Sequence, residues 1–116
     1  MDKYKKDLNI IKHILDYCNE IEQTIARFGA TFDSFKADKI YRNAATMCIL
    51  QIGELTGRLS SEFTAAHPDI SWRSIKGMRN IAAHAYGSIS LPDVWDTMTV
   101  DIPTLKAYCN TILAQW

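Results

Sequence analysis

Apolar residues recur every three or four positions along most of the chain, the pattern of helices that bury one face. The first apolar stripe predicts a helix from about Asp2 to Phe28, with Gly29 as its C-terminal stop. The next stripe predicts one long helix that begins at an N-cap formed by Asp33 or Ser34 and continues to about Ser60.

Two glycines interrupt the second apolar stripe without ending it. Gly53 and Gly57 each lower helix propensity by roughly 1 kcal/mol relative to alanine. A close approach of another backbone would offset that cost. We therefore expect tight helix packing at these two positions.

The middle of the chain predicts a third helix. The residue before a proline is pushed out of the α region, so a short helix ahead of Pro68 should end by about Ala66. Ser71 then caps a helix with its own apolar side. Gly87, directly after Tyr86, is a natural stop for it.

The last apolar stripe predicts a fourth helix that opens at Ser90, with Pro92 in its first turn. Pro103 lies inside this stripe, so either the helix kinks there or Asp101 caps a short fifth helix. Strand-like alternation and internal repeats are absent from the sequence. The expected fold class is all-α, an antiparallel up-and-down four-helix bundle.

Length and composition narrow the class of protein. The 116 residues suit one domain, 1–116, and no apolar run approaches the roughly 20 residues of a membrane helix. The N-terminus lacks the features of a secretion signal, so a cytoplasmic protein is expected. Cys18, Cys48 and Cys109 lie among apolar residues without metal-binding spacing, and are interpreted as reduced core thiols.

Net charge limits how the protein can meet nucleic acid. Thirteen basic and thirteen acidic residues cancel, so the broad basic surface of many nucleic-acid-binding proteins is missing. Any contact with RNA must therefore be local, or the partner is another protein.

Histidine titrates near neutral pH, and the chain has three. His13 is expected to lie in solvent or at the edge of the core. His67 and Asp69 share a loop, but no zinc-binding motif supplies further ligands. We expect no metal site and no other cofactor.

His84 differs from the other two histidines because of its neighbours. Arg79, Asn80 and Tyr86 lie within the same eight residues, near the end of the predicted third helix. Arginine offers a planar, bidentate donor for phosphate oxygens, and histidine can act as a general acid or base. Asn80 and Tyr86 add neutral hydrogen-bonding groups. This set is suited to chemistry on a phosphodiester.

The spacing of these residues limits how they can cooperate. At about 100° per residue, Arg79 and His84 point about 140° apart on a regular helix, whereas Asn80 and His84 share a face. If Arg79 and His84 act on one phosphate, either the helix is irregular near Gly77 or a second copy of the chain supplies the missing residue. The second option predicts a homodimer.

A purely structural interpretation stays open for the same residues. They could pair with carboxylates such as Asp93 and Asp96 at the start of the fourth helix and cap exposed carbonyls. The tryptophans Trp72, Trp95 and Trp116 could stack on bases, but their spacing is more typical of core packing.

Several strings of residues follow one another in a recognisable order. They are Ile52-Gly53-Glu54, Ile70-Ser71-Trp72, Ile75-Lys76-Gly77-Met78-Arg79-Asn80-Ile81-Ala82-Ala83-His84-Ala85-Tyr86, Val94-Trp95 and Asp101-Ile102-Pro103-Thr104-Leu105. Together they resemble the HepT-like branch of the HEPN superfamily, over most of the chain from about Asp33 to Leu113.

The resemblance implies a dimeric helical bundle with the Arg-x4-His motifs at a shared cleft. It implies a metal-independent endoribonuclease toxin of a type VII-like toxin–antitoxin pair, whose partner is a minimal nucleotidyltransferase antitoxin that can attach AMP to the motif tyrosine. By position, Arg79 and His84 would be the catalytic pair. Tyr86 would be the candidate for AMPylation, and Asn80 a supporting or substrate-binding residue.

Two alternatives to the nuclease remain. In one, the helical domain is a non-catalytic binding module that partners a nucleotidyltransferase and assists nucleotide or substrate binding. Zero net charge mildly favours this alternative, whereas the intact Arg79, His84 and Tyr86 favour the nuclease. In the other, the chain is a structural helical dimer.

Overall fold

The first helix begins and ends where its apolar stripe predicts. The structure, a computed structural model, describes the backbone of residues 2–85 and 91–115 and the side chains of residues 4–80 and 91–115. Helix α1 spans Asp2–Phe28. Gly29 has a φ of 123°, a left-handed value that glycine adopts easily, so the predicted stop is confirmed.

The second predicted helix is two helices, so the prediction of one continuous element is wrong. Helix α2 spans Phe32–Ala37 and helix α3 spans Lys39–Thr56. Asp38 between them is extended (φ −112°, ψ 110°), and its carboxylate accepts hydrogen bonds from the N–H groups of the second and third residues after it. An N-cap of this kind starts a new helix.

The cap of α2 also lies earlier than predicted. Thr31 accepts a hydrogen bond from the N–H of Ser34 at 3.1 Å, so Asp33 and Ser34 lie inside the helix and do not cap it. Helix α2 buries Phe35, whose ring packs against that of Trp95 at 5.5 Å between centroids. Trp95 is therefore a packing residue.

The third predicted helix follows a short one that ends as expected. Helix α4 spans Ser61–Ala66, and helix α5 spans Trp72–Ala85. Ser71 accepts a hydrogen bond from the N–H of Ser74 at 3.4 Å, which supports its predicted role as N-cap. The predicted stop at Gly87 lies outside the described residues, as does the predicted start of the next helix at Ser90.

The stretch around Pro103 contains a change of helix type. Helix α6 (Leu91–Asp96) leads into a π-helical turn (Thr97–Asp101), and helix α7 spans Ile102–Ala114 with Pro103 in its first turn. Of the two alternatives, a separate helix does begin directly after Asp101, but the cap is wrong, because Asp101 has helical dihedral angles and its side chain makes no cap hydrogen bond. The wider turn accommodates a residue that has no N–H to donate.

All the regular secondary structure of the described residues is helical, which confirms the all-α class. Helix α3 packs against α1 and α5, and α1 packs against α7. None of the described helices is both long and apolar enough to cross a membrane. The side chains between the long helices form one apolar core, whose fully buried members include Ile11, Ile14, Cys18, Tyr41, Ile49, Ile52, Met98, Ile102, Leu105 and Ile112.

Candidate phosphate-binding and catalytic site

Helices α3 and α5 approach each other closely at Gly53. A Cβ atom added to Gly53 would lie 2.8 Å from the backbone nitrogen of Arg79 and 3.0 Å from its Cβ. No side chain fits at that separation. The expected close approach is therefore confirmed at Gly53, and the backbone of α5 that it contacts is that of the motif arginine.

Arg79 pairs with a carboxylate on the facing helix. Its Nε lies 2.7 Å from Oε1 of Glu54, the residue directly after Gly53. The structural interpretation named Asp93 and Asp96 as examples of such carboxylates, and for Arg79 the partner is Glu54 instead. The contact uses one N–H of the guanidinium, which carries four further N–H groups on its two terminal nitrogens.

A small cleft opens beside this ion pair. It has a volume of about 210 Å³ and is lined by Gly53, Glu54, Gly57, Arg58, Lys76 and Arg79. Three cations thus face one carboxylate, although the whole chain is neutral. Because the chain has no net charge, any contact with RNA was expected to be local. This cleft provides such a local excess of positive charge.

Gly57 also lines the cleft, but the close backbone approach expected at this position is wrong. A Cβ atom at Gly57 would lie 3.5 Å from Cε of Lys76, an ordinary van der Waals distance. The aliphatic stem of Lys76 therefore crosses close to Gly57, at the C-terminal end of α3. Arg58, the next residue, is exposed in the turn that follows.

The other motif residues are placed by the backbone of α5. The helix is α-helical without interruption from Trp72 to Ala85, so the predicted irregularity near Gly77 is wrong. Asn80 is exposed on this helix. His84 belongs to its last described turn, but its side chain lies outside the described residues, and so does the whole of Tyr86.

The other two histidines, His13 and His67, lie away from the cleft lining. His13 is exposed on α1, as expected. The ring of His67 packs on that of Phe63 at 4.5 Å, and its carbonyl accepts a hydrogen bond from Nε1 of Trp72. Among the described residues, no three His, Cys, Asp or Glu side chains converge in a way that would hold a metal ion.

The three cysteines are free and buried, which confirms them as reduced core thiols. Burial raises the pKa of Cys18 and of Cys109 to about 12. Burial also raises the pKa of Cys48, whose thiol donates a hydrogen bond to a carboxylate oxygen of Glu20 at 2.9 Å. These thiols therefore stay protonated near neutral pH.

Sequence reasoning missed three residues of the cleft: Glu54, Arg58 and Lys76. A usable signal existed for Glu54, because a glycine that predicts close helix packing also predicts that its neighbour contacts the facing helix. Lys76 carried a weaker signal, because it precedes Arg79 by three residues on the same helix and such positions are neighbours. Arg58 carried no comparable signal, since isolated cations in a sequence are usually solvated.

The fold and the cleft together define an all-helical protein with a small cationic site suited to phosphate groups. The family model described as "Ribonuclease HepT-like" matches residues 14–112. The chain therefore belongs to the HepT-like ribonuclease family, as the resemblance of its motifs indicated.

Relatives of similar length carry ribonuclease names. The chain is 35% identical over 96 residues to the probable ribonuclease HepT of Thermococcus cleftensis, covering 78% of this chain and 87% of that protein. It is 29% identical over 103 residues to a protein of Caldanaerobacter subterraneus subsp. tengcongensis named "Putative RNase TTE0752", covering 89% and 90% of the two chains. No solved structure matches the chain.

Proposed function

We propose that the protein is a metal-independent endoribonuclease in which Arg79 and His84 act on one RNA phosphate. The observation that carries the proposal is the placement of Arg79, held by Glu54 beside a cleft with an excess of positive charge. Membership of the HepT-like ribonuclease family supports the choice of RNA as substrate.

In the proposed reaction, the nucleophile belongs to the substrate. The 2'-oxygen bonds to the adjacent phosphorus while the bond from phosphorus to the 5'-oxygen breaks. His84 takes the proton of the 2'-hydroxyl and delivers a proton to the leaving 5'-oxygen, and Arg79 stabilises the charge that develops on the phosphoryl oxygens. The products are a 2',3'-cyclic phosphate and a 5'-hydroxyl. No metal is needed to generate the nucleophile.

We propose further that the catalytic unit is a homodimer of antiparallel up-and-down four-helix bundles. The bundle would consist of the long helices α1, α3, α5 and α7, and the contacts of α1 with α3 and α7 and of α3 with α5 support this arrangement. Continuity of α5 supports the dimer, because positions 79 and 84 point about 140° apart on a regular helix. A second copy would then complete each site.

The proposed biological role is that of a cytoplasmic toxin controlled by a minimal nucleotidyltransferase antitoxin. Attachment of AMP to Tyr86 would add a negative charge and a bulky base seven residues after Arg79, on the same side of a continued helix. Such a group would repel an incoming phosphate and block its path. This control accounts for a tyrosine in a phosphate-cleaving motif. Asn80, which shares a face with His84, would help to hold the substrate.

The test compares the purified wild type with Arg79→Ala and His84→Ala on a labelled RNA in the presence of EDTA. We expect cleavage by the wild type, loss of at least about a hundredfold in each variant, and no cleavage of a strand with a 2'-deoxyribose at the scissile position. Exposed Lys12→Ala on α1 is the control.

Full activity of His84→Ala, or cleavage of the 2'-deoxy strand, would contradict the mechanism. A wild type that binds a nucleotidyltransferase but cleaves no RNA would instead favour the non-catalytic binding module.

A further inference from the structure

The cleft beside Arg79 contains more positive charge than one phosphate needs. Arg58 and Lys76 line it together with Arg79, while Glu54 already contacts Arg79. Within the described part of the chain, neither Arg58 nor Lys76 forms an ion pair. Two cations at one small cleft are thus left for a ligand.

The positions of these cations suit a neighbouring phosphate. Lys76 precedes Arg79 by three residues on α5, so their Cβ atoms lie roughly 5–6 Å apart. Their charged groups can spread to a separation comparable to that of successive phosphates on a single strand. Arg58, in the turn directly after α3, lines the same cleft.

Two of the residues that line the cleft are glycines with different effects. Gly53 lets the backbones of α3 and α5 meet, whereas Gly57 has no side chain of its own and the Lys76 stem passes beside it. Arg58 could also stabilise the C-terminus of α3 through the helix dipole. That role does not account for Lys76, which lies in the first half of α5.

We propose that Arg58 and Lys76 form a subsite for the RNA backbone phosphate adjacent to the scissile phosphate that Arg79 contacts. This inference rests on the proposed ribonuclease function and adds two substrate-binding residues to it. The two cations of the subsite bind a backbone phosphate and so position the strand, without base-specific contacts.

The experiment pairs a charge removed from the protein with a charge removed from the RNA. Lys76→Gln, Arg58→Gln and the exposed control Lys12→Gln are compared on a normal RNA and on RNAs with a neutral methylphosphonate on the 5' or the 3' side of the cleaved phosphate. For the wild type, one of the two neutral linkages should lower kcat/KM about tenfold, the effect of losing one charge-assisted hydrogen bond.

Lys76→Gln and Arg58→Gln should each show a comparable loss on normal RNA and little further loss on that methylphosphonate substrate. Lys76→Arg should restore most of the activity, because it keeps the charge. Lys12→Gln should behave as the wild type. An equal loss of kcat/KM in Lys12→Gln would overturn the subsite. So would a result in which the loss from the variant and the loss from the methylphosphonate multiply when the two changes are combined.

A binding measurement separates this inference from the nuclease itself. Fluorescence anisotropy with a 2'-deoxy, non-cleavable strand should show that the slope of log affinity against log salt falls by about 0.7 in Lys76→Gln. An unchanged slope and affinity would overturn the subsite even if RNA is cleaved. If the wild type cleaves no RNA but the salt slope still falls in Lys76→Gln, the nuclease is overturned and the phosphate subsite is kept.

Discussion

At the scale of single residues, Glu54 is the carboxylate that contacts the Arg79 guanidinium. The Glu54 carboxylate oxygen is 2.7 Å from Nε of Arg79. The Glu54 side chain is 38% exposed and the Arg79 side chain is 62% exposed. A pair this exposed contributes only about 0–1 kcal/mol to stability. If Arg79 contacts a phosphate as proposed, the effect of this pair on cleavage should be larger, because orientation strongly affects rate.

We therefore expect Glu54→Ala to lower kcat/KM about tenfold or more while thermal unfolding changes little. Glu54→Gln should retain most of the activity, because its amide oxygen can still accept the Nε–H bond. The measurement is RNA cleavage beside a thermal melt. Equal activity in Glu54→Ala and the wild type would show that Arg79 needs no positioning by Glu54.

At the scale of helices, the contact between α3 and α5 depends on one glycine far more than on the other. A Cβ at Gly53 would lie 2.8 Å from a backbone atom, which cannot move aside cheaply, whereas a Cβ at Gly57 would meet only ordinary contacts from 3.4 Å outward. Gly57 also has a helical φ of −65° that alanine adopts without strain.

Gly53→Ala should consequently lower the free energy of unfolding by about 1–3 kcal/mol through overpacking. Gly57→Ala should leave it unchanged or raise it by about 0.4–1 kcal/mol, because alanine restricts the unfolded chain. Urea denaturation of both variants measures the difference. If both changes destabilised the protein equally, the close contact would not lie at Gly53.

The elements also show what the sequence alone could predict. Local signals placed the boundaries of α1 and the end of α4, since a left-handed glycine and a proline act on their immediate neighbours. The break at Asp38 was missed because apolar periodicity continues across it. Ile40 and Met47 matched that periodicity, yet they are exposed by 68% and 48%.

The cleft was only partly predictable for a related reason. Lys76 and Arg79 stand three residues apart within one string on α5, and the chemistry of Arg79 could be recognised there. Glu54 and Arg58 join Arg79 only because α3 and α5 pack at Gly53, and periodicity does not specify which helices meet.

At the scale of the whole molecule, the buried thiols link stability to alkaline pH. The pKa of Cys18 and of Cys109 is raised from 9.0 to about 12, chiefly by burial. Above pH 9 the unfolded chain loses these protons while the folded chain keeps them, so stability is full below pH 9 and falls as pH rises towards 12. The loss is at most about 1.4 kcal/mol per pH unit for each thiol.

Replacing one thiol should make this decline shallower. Urea denaturation of Cys109→Ala between pH 8 and 10.5 (approximate range in which the thiols of the unfolded chain titrate) should give a smaller slope than the wild type, whatever the cavity costs at pH 8. Parallel slopes in the two proteins would show that Cys109 titrates equally in the folded and unfolded states.

The assembly itself can be tested with two inactive variants. If Arg79 of one chain acts with His84 of its partner, a heterodimer of Arg79→Ala and His84→Ala contains one doubly altered site and one intact site. This heterodimer, purified through a different tag on each chain, should cleave RNA at about half of the wild-type rate per dimer. If both residues act within one chain, every site carries one change and the heterodimer stays inactive.

The outcome depends on the helix geometry. Helix α5 is continuous from Trp72 to Ala85, so positions 79 and 84 remain about 140° apart in each chain. Each parent homodimer should be inactive, which controls for residual cleavage. Sedimentation of the wild type must also give the mass of two chains. A monomer that cleaves RNA at full rate would show that the Arg79 and His84 side chains converge within one chain despite this angle.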